Sequence, residues 1–365
     1  MKLIAKTVKI KRRSRKKEFF KKMETKLWSI DQGTHIYMEA AELLRQGETV
    51  AFPTETVYGL GADATNEKAV QKIFEAKGRP ADNPLIVHIA SASQMDEFIE
   101  RIPEKAQKLI DEFWPGPLTL ILPMKKGTIA KNATAGLDTV GVRMPVHPVG
   151  LELLRITDLP IAAPSANRSG RPSPTTARHV EEDLTGKISA IIDGGSTGVG
   201  LESTVVDFAG EMPTILRPGG VSTEQIEEVI GPVKSAKNVI AKEEAPKAPG
   251  MKYTHYAPEA PVYLVKGDVA FWEEQIEQAE QKGESVGLLI SDELASEIQA
   301  AVNTIKIGST QKMEDIARRL YDGLRLFDHT DVTLIFAEPF DRSGIGEAIM
   351  NRLEKAAGNK YLIGD

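Results

Sequence analysis

The stretch from Pro164 to Thr175 reads Pro-Ser-Ala-Asn-Arg-Ser-Gly-Arg-Pro-Ser-Pro-Thr, and the predicted fold is organised around it. The apolar segment before it, 159–163, predicts a short buried strand. The residues Ser173-Pro174-Thr175 predict the start of a helix. The stretch therefore follows the carboxyl end of a strand, where open α/β sheets bind ligands. Taken alone, an ordinary polar loop stiffened by three prolines fits the same residues.

Strands and helices are predicted in mixed order on both sides of this stretch, which favours one α/β domain with a mixed sheet. The hydrophobic pattern predicts strands at 26–30, 49–52, 84–88, 118–123, 140–144, 190–193, 205–208 and 214–216. It predicts helices at 36–46, 67–77, 93–113 in two pieces, 146–156, 175–184 and 222–230. The segment 53–62 is predicted as a loop.

Known nucleotide and nucleophile motifs are weak or missing. Gly59-Leu-Gly-Ala-Asp-Ala64 matches the pattern GxGxxA, but no uninterrupted strand enters it and the next helix starts late, which disfavours a nicotinamide or flavin site. No GxxxxGK[ST] motif occurs, so a P-loop is excluded, and no GxSxG motif points to a hydrolase serine.

The chain divides by composition into four parts. Residues 1–23 form a basic extension, which could be a nucleic-acid arm, a solvated disordered segment, or the result of a start codon assigned upstream of Met23. Residues 24–231 form the first α/β domain. Residues 232–261 are rich in Pro, Lys, Ala and Glu and predict a linker. Residues 262–365 alternate strands and helices, which predicts a small doubly wound, Rossmann-like domain.

Composition excludes several classes of function. The chain of 365 residues has no cysteine, which excludes disulfides, thiolate zinc sites and a cysteine nucleophile. Its six histidines show no metal-binding spacing. No apolar run approaches the roughly 20 residues that span a bilayer, so a cytoplasmic protein without a membrane anchor is expected. The net charge of −6 includes the basic extension, so the body is acidic and direct tRNA binding is expected to be weak or absent.

Several cations follow the ends of predicted elements. Lys77 and Arg79 flank a glycine where a helix ends, and Arg143 and Arg217 end predicted strands. Lysine and arginine at such places can bind phosphate oxygens, although dipole complementation and internal salt bridges are alternatives. The glycine-rich loop 194–204 could present backbone amides to an anion, or be only a flexible turn. Together these features favour a polyphosphate ligand.

Lys77-Gly-Arg79 and Ser165-Ala-Asn167 form the pattern KxR…SxN, and the chain resembles the YrdC/Sua5 family in its long, two-domain form. Further matches follow in order: Pro53-Thr-Glu-Thr-Val-Tyr-Gly-Leu60, Pro115-Gly-Pro-Leu-Thr119 and Leu216-Arg-Pro-Gly219. The resemblance covers about residue 24 to the C-terminus. It implies a YrdC-like mixed twisted sheet with flanking helices, followed by the small C-terminal domain.

The resemblance also implies an activity. L-Threonine, bicarbonate and ATP, with Mg²⁺, would give threonylcarbamoyl-AMP and pyrophosphate, and a tRNA threonylcarbamoyl-transferase complex would use the product for the tRNA modification t6A37. Two alternatives from other classes are an RNA-binding module, which the acidic body disfavours, and a carbamoyl-adenylate enzyme of hydrogenase maturation, whose zinc-finger module a chain without cysteine lacks.

The family's functional residues carry over motif by motif. Lys77 and Arg79 would be catalytic. Threonine would be held by Thr56, His88, Thr139, Arg143, Ala163 and Ser203. ATP would be held by Arg79, Asn83, Ser165, Asn167, Ser173, Arg217 and Tyr256. The aromatic segment 252–258 within the linker is predicted to fold over the first domain's cleft as a lid, because a reactive mixed anhydride must be protected from water. The alternative is that its aromatic residues only pack the interface between the domains.

Overall fold

The computed structural model describes residues 24–235 and 256–364. The basic extension 1–23 and linker residues 236–255 lie outside the described residues. The strands of the first sheet are β1 (Lys26–Ser29), β2 (Val50–Pro53), β3 (Tyr58–Asp63), β4 (Ile86–His88), β5 (Leu118–Pro123), β6 (Thr139–Arg143), β7 (Ile161–Ala162), β8 (Ala190–Asp193), β9 (Thr204–Asp207), β10 (Thr214–Arg217) and β11 (Lys234–Ser235). The helices around it are α1 (His35–Arg45), α2 (Glu67–Lys77), α3 (Glu104–Phe113), α4 (Pro148–Thr157), α5 (Ala177–Leu184) and α6 (Thr223–Ile230).

The first sheet is mixed, as predicted. Its described strands run in the order β1-β8-β2-β3-β7-β4-β6-β5-β9-β10-β11. Strand β4 pairs with β6 in parallel and with β7 antiparallel, so His88 lies opposite both Arg143 and Ile161. This register brings the ends of β4 and β6 to the same point, and the chain leaves β7 directly into the stretch 164–175.

The second sheet is formed by β12 (Val262–Lys266), β13 (Val286–Ile290), β14 (Asn303–Lys306), β15 (Leu334–Ala337) and β16 (Tyr361–Ile363). Its helices are α7 (Val269–Gln281), α8 (Asp292–Glu297), α9 (Met313–Leu326) and α10 (Gly346–Ala357). All its pairings are parallel, in the order β14-β13-β15-β12-β16. Trp272 of α7 is buried in one core, whereas Leu320 of α9 and Leu353 of α10 share another. The predicted doubly wound domain is confirmed.

The prediction of a loop at 53–62 is wrong except at 54–57, which connect β2 and β3, because these strands form an antiparallel hairpin. Glycines weaken a strand prediction, yet here they are needed for packing. A Cβ atom on Gly61 would lie 2.8 Å from Phe52 Cε1 and 2.9 Å from Ile161 Cγ2. The glycines of the GxGxxA pattern therefore let neighbouring strands pack closely and do not open a dinucleotide-binding turn.

None of the helices within 24–235 and 256–364 has both the length and the apolar character needed to cross a bilayer.

Candidate active site

A cleft of about 730 Å³, including the open solvent at its mouth, is lined by residues of β4, β6 and β10 together with the stretch 164–175. Most of the residues that the motifs singled out line this cleft: Thr56, Lys77, Arg79, His88, Arg143, Ala163, Ser165, Asn167, Ser173, Ser203, Arg217 and Tyr256. Asn83 and Thr139 are absent from its lining. Among the described residues, five cations and one carboxylate line the cleft, which favours an anionic ligand.

Helix α2 positions Lys77. The helix begins with Asn66, whose side chain accepts from the amides of Lys68 and Ala69, and ends at Gly78 in the left-handed conformation. The Lys77 ammonium, only 4% exposed, donates to the carbonyl of Ser165, to the carbonyl of Asn167 at 2.7 Å and to Asn167 Oδ1 at 3.3 Å. Burial, and to a smaller extent the charge of Arg79, hold the pKa of Lys77 well below its usual range.

The stretch 164–175 is held in place by its own asparagine. Asn167 Oδ1 accepts from Ser165 Oγ at 2.6 Å, and Asn167 Nδ2 donates to the carbonyls of Arg168 and Arg171, both at 2.8 Å. Lys77 and Asn167 therefore cross-link the end of α2 with this loop. The pairing of Lys77 with Ser165 and Asn167 in the pattern KxR…SxN thus has a structural basis, because Lys77 and the loop satisfy each other's buried polar groups.

Arg143 forms an ion pair inside the cleft wall. Its Nη2 donates to Glu55 Oε1 at 2.5 Å and its Nη1 to Thr56 Oγ1 at 2.8 Å. Glu55 Oε2 accepts from the amide of Val146 at 3.2 Å. The internal salt bridge considered from the sequence is present, and Arg143 still lines the cleft. Thr54 Oγ1 lies 2.8 Å from Thr56 Oγ1 and completes this wall.

His88 is a neutral group beside Arg143. It is 3% exposed, and its Nδ1 lies 3.2 Å from the carbonyl oxygen of Ile86. Burial, and to a smaller extent the charge of Arg143, lower the pKa of His88 to about 3. An uncharged imidazole can offer one donor and one acceptor to a ligand at neutral pH.

Arg217 and Ser203 form the wall opposite α2. Arg217 Nε donates to the Ser203 carbonyl at 3.1 Å, and its Nη2 donates to Ser203 Oγ at 3.2 Å. Ser203 Oγ also lies 2.7 Å from Thr119 Oγ1. Burial lowers the pKa of Arg217, although a guanidinium stays charged at neutral pH. The glycine-rich loop 194–204 delivers Ser203 to this wall.

Asn83 and Thr139 lie beside the cleft. Arg79 Nη2 donates to the carbonyl of Asn83 at 3.3 Å, just before the chain enters Pro84. Thr139 lines a neighbouring hollow of about 260 Å³, which is otherwise mostly apolar and shares Ile86 with the main cleft.

Tyr256, the first described residue after the linker gap, closes one side of the cleft. It is 6% exposed and has φ +68°, and the amide of Ala257 donates to the carbonyl of Gly170 at 3.0 Å. The end of the linker is thus tied to the central stretch. Residues 252–255 of the predicted lid lie outside the described residues, so the lid remains a prediction.

Three residues of the site were missed by the sequence analysis. Glu55, the partner of Arg143, does not itself line the cleft; it lies inside a quoted motif, and its signal was a carboxylate between two threonines of a buried segment. Glu202, 7% exposed, and Arg171 could not be found from local patterns, because their partners lie in the second domain. No cluster of three metal-binding side chains occurs in the described residues.

Comparison with known proteins identifies the two halves of the chain. The Sua5/YciO/YrdC family model, described as "Telomere recombination", matches residues 42–219. The model of the "Threonylcarbamoyl-AMP synthase, C-terminal domain" matches residues 221–358.

Curated relatives extend over nearly the whole chain. A threonylcarbamoyl-AMP synthase of Bacillus subtilis is 51% identical over 346 residues, which cover 93% of this chain and 100% of that protein. The synthase of Pyrococcus abyssi is 50% identical over 328 residues, covering 88% and 94% of the two chains.

A solved structure has the same fold. The crystal structure of P. abyssi Sua5 complexed with L-threonine matches with a TM-score of 0.86 at 47% identity, covering 93% of this chain and 99% of that one. Both domains are thus shared with proteins of one kind. The chain belongs to the two-domain Sua5 family of threonylcarbamoyl-AMP synthases.

Proposed function

We propose that this cleft binds L-threonine and ATP side by side and joins them through bicarbonate, giving threonylcarbamoyl-AMP and pyrophosphate. The observation that carries the proposal is the set of cations that line one cleft. Arg143 lies opposite the neutral His88 in the sheet register, and Arg79 and Arg217 also line the cleft. Two anionic substrates need separate cations, since their charges would otherwise repel each other.

The threonine end is assigned to Arg143 and its neighbours. An arginine fork matches a carboxylate, and Glu55 and Thr56 hold the Arg143 guanidinium in a fixed orientation. His88, Ala163 and Ser203 would surround the rest of the amino acid. Neutral His88 would contribute a hydrogen bond without adding charge beside the substrate amine.

The nucleotide end is assigned to the remaining motif residues. Arg79 and Arg217 would contact the phosphates, and Ser165, Ser173 and Tyr256 would contact other parts of ATP. Asn83, whose carbonyl accepts from Arg79, would complete this end. Thr139, in the wall of the neighbouring hollow, stays assigned to threonine by the motif resemblance.

The chemistry requires positioning and no side-chain nucleophile. The threonine amine attacks carbon dioxide from bicarbonate and loses a proton, which forms a carbamate. A carbamate oxygen attacks the α-phosphorus of ATP, and the bond to pyrophosphate breaks. Arg79 and Arg217 would offset the charge that develops on the leaving group. Lys77 would act mainly by holding the loop 164–175, since three acceptors already surround its ammonium group.

Magnesium would enter as part of the nucleotide substrate. Glu202 is the carboxylate in the described cleft lining, and its oxygens are already bonded to Ser173, Tyr321 and Arg352. The residues present therefore do not form a metal cage of their own, and Mg²⁺ would be held mainly by phosphate oxygens and water.

The product is a mixed anhydride, so another enzyme must accept it. A tRNA threonylcarbamoyl-transferase complex is the proposed acceptor, in the cytoplasm, where tRNA is modified. Direct tRNA binding by this chain is expected to be weak, since its net charge is −6.

The test is pyrophosphate release by the full chain with ATP, Mg²⁺, bicarbonate and each amino acid in turn, without tRNA. Release should require both threonine and bicarbonate. Equal release with alanine would contradict the substrate assignment, and release without bicarbonate would contradict the carbamate step.

A further inference from the structure

The second domain reaches the cleft through Glu202. Glu202 Oε1 accepts from Ser173 Oγ at 2.5 Å, a contact within the first domain. Its Oε2 accepts from Tyr321 of α9 at 2.9 Å and from Arg352 Nε of α10 at 2.8 Å. A carboxylate in the cleft wall thus has partners from both domains.

Of these two second-domain partners of Glu202, Arg352 makes further contacts around the cleft. It is 0% exposed, and its Nη1 donates to the carbonyl of Pro218 at 2.9 Å, one residue after Arg217. Its guanidinium also lies 5.6 Å from the centre of the Tyr256 ring. Arg352 therefore touches three parts of the first domain and linker that border the cleft: Glu202, Pro218 and Tyr256.

Tyr321 connects the same network to the end of the linker. Its ring centre lies 5.3 Å from that of Tyr256, with an angle of 30° between the rings. Both side chains are buried. Burial favours a neutral Glu202, but the charges of Arg352 and Arg217 hold its pKa at about 2, so the carboxylate is charged at neutral pH.

We propose that Arg352 and Tyr321 of the second domain are positioning residues for the nucleotide half of the cleft, and that they act through Glu202. The inference rests on the proposed assignment of Ser173, Arg217 and Tyr256 to ATP. The second domain is then part of the active site's construction and more than an anchor for the linker.

The physical reason is competition for one buried carboxylate. Glu202 lies close enough to Arg217 for each to affect the other's pKa. Arg352 supplies Glu202 with a guanidinium partner, which leaves Arg217 directed at Ser203 and toward the cleft. Without Arg352, Glu202 would attract Arg217 more strongly and draw it away from phosphate. The carboxylate would also hold Ser173 less rigidly.

Arg143, the cation assigned to the threonine carboxylate, makes no contact with the second domain among the described side-chain contacts. Arg143 is held by Glu55, Thr56 and Gly116, all in the first domain. The proposal therefore predicts a selective effect on the nucleotide, which a general loss of folding would not produce.

The experiment compares Tyr321→Phe and Arg352→Lys in the full chain, with steady-state kinetics for each substrate and calorimetric titration with ATP. Each variant should raise the KM for ATP, by roughly three- to tenfold for Tyr321→Phe and more for Arg352→Lys. The KM for threonine should change less than about twofold. Arg342→Ala is the matched control, because Arg342 pairs with Glu354 on the outer surface of the same domain.

Three outcomes decide the proposal. Selective weakening of ATP binding supports it. Equal weakening of ATP and threonine, or no change in either variant, overturns it. Should Arg352→Lys fail to fold, Tyr321→Phe decides alone, since it removes one hydroxyl from a well-packed ring. Absence of pyrophosphate release by the unmodified chain would instead count against the proposed function.

Discussion

At the scale of single residues, the cations of the cleft differ in how deeply the protein encloses them. Lys77 is 4% exposed and surrounded by the carbonyls and amide oxygen of the loop 164–175, whereas Arg79 is only half-buried at the mouth. This difference separates a cation that supports the wall from one that can meet a phosphate. From the sequence, phosphate binding and a structural role had both been possible for these two cations.

Arg79→Ala tests the half-buried cation. Loss of a charge-assisted contact to phosphate should lower pyrophosphate release about ten- to a hundredfold, since such contacts contribute roughly 1.5–3 kcal/mol. Circular dichroism should be unchanged. Arg101→Ala is a control, because Arg101 is exposed and is not part of the cleft lining. Loss of the folded signal in Arg79→Ala would favour a structural role instead.

His88 makes a prediction about pH. The folded protein keeps His88 neutral because its pKa is about 3, whereas the unfolded chain binds a proton near pH 6.5. Between these values the unfolded state binds more protons, so the free energy of unfolding falls as the pH is lowered. The contribution should approach about 1.4 kcal/mol per pH unit.

Chemical denaturation between pH 7 and 4 measures this effect, with His88→Asn for comparison. The variant should lose stability less steeply on acidification than the parent. Parallel curves for the two proteins would mean that His88 is not held neutral.

At the scale of elements, the loop 194–204 serves as a docking surface for α9. A Cβ atom on Gly200 would lie 2.4 Å from the Arg318 Cα and 2.7 Å from the Ala317 carbonyl oxygen. Both are backbone atoms, so neither can rotate away. Arg318 Nε also donates to the carbonyl of Gly198 at 2.9 Å. Gly200 therefore has a packing role between the domains.

Gly200→Ala should destabilise the protein more than Gly195→Ala. Both glycines have positive φ, +81° and +84°, so the cost in backbone conformation is shared. Only at Gly200 does the new methyl group meet a helix backbone, which should add about 1–3 kcal/mol. Denaturant titration of both variants measures the difference. Equal losses would show that α9 does not approach the loop this closely.

At the scale of the whole molecule, buried ion pairs join the two domains. Arg325 Nη2 of α9 lies 2.7 Å from Asp183 Oδ2 of α5 and donates to the carbonyl of Pro172 at 2.6 Å. Both charged side chains are almost fully enclosed. Arg325 thus holds the central stretch and a first-domain helix against the second domain.

Arg325→Ala should lower the free energy of unfolding by about 3 kcal/mol, because it leaves a buried carboxylate with less compensation. Scanning calorimetry should show that the two domains, which are expected to unfold in one transition in the parent protein, unfold in separate transitions in Arg325→Ala. Arg155→Ala, which removes an exposed pair with Glu152, should change stability by less than about 1 kcal/mol. A single unshifted transition in Arg325→Ala would contradict the coupling.

Local sequence patterns predicted many of the helices and strands, because these elements depend on residues that are neighbours in the chain. Helix α2 begins and ends as predicted, since Asn66 and Gly78 supply its caps within the segment itself. The family prediction is also confirmed by the curated relatives. It could be made from the sequence because the family's motifs are short runs of neighbouring residues. The division into two α/β sheets followed from hydrophobic periodicity.

Tertiary structure alone decided which groups meet. Strand β3 was missed because its glycines are explained only by Phe52 and Ile161 across the sheet. The partners of Lys77 lie 88 and 90 residues away, and the Arg352 partner of Glu202 lies 150 residues away. Hydrogen bonds and charge pairs at such separations leave no periodic signal, because they depend on the packing of whole elements. The sequence identified the cleft's chemistry, and folding determined which of its charged groups support the wall and which face the ligand.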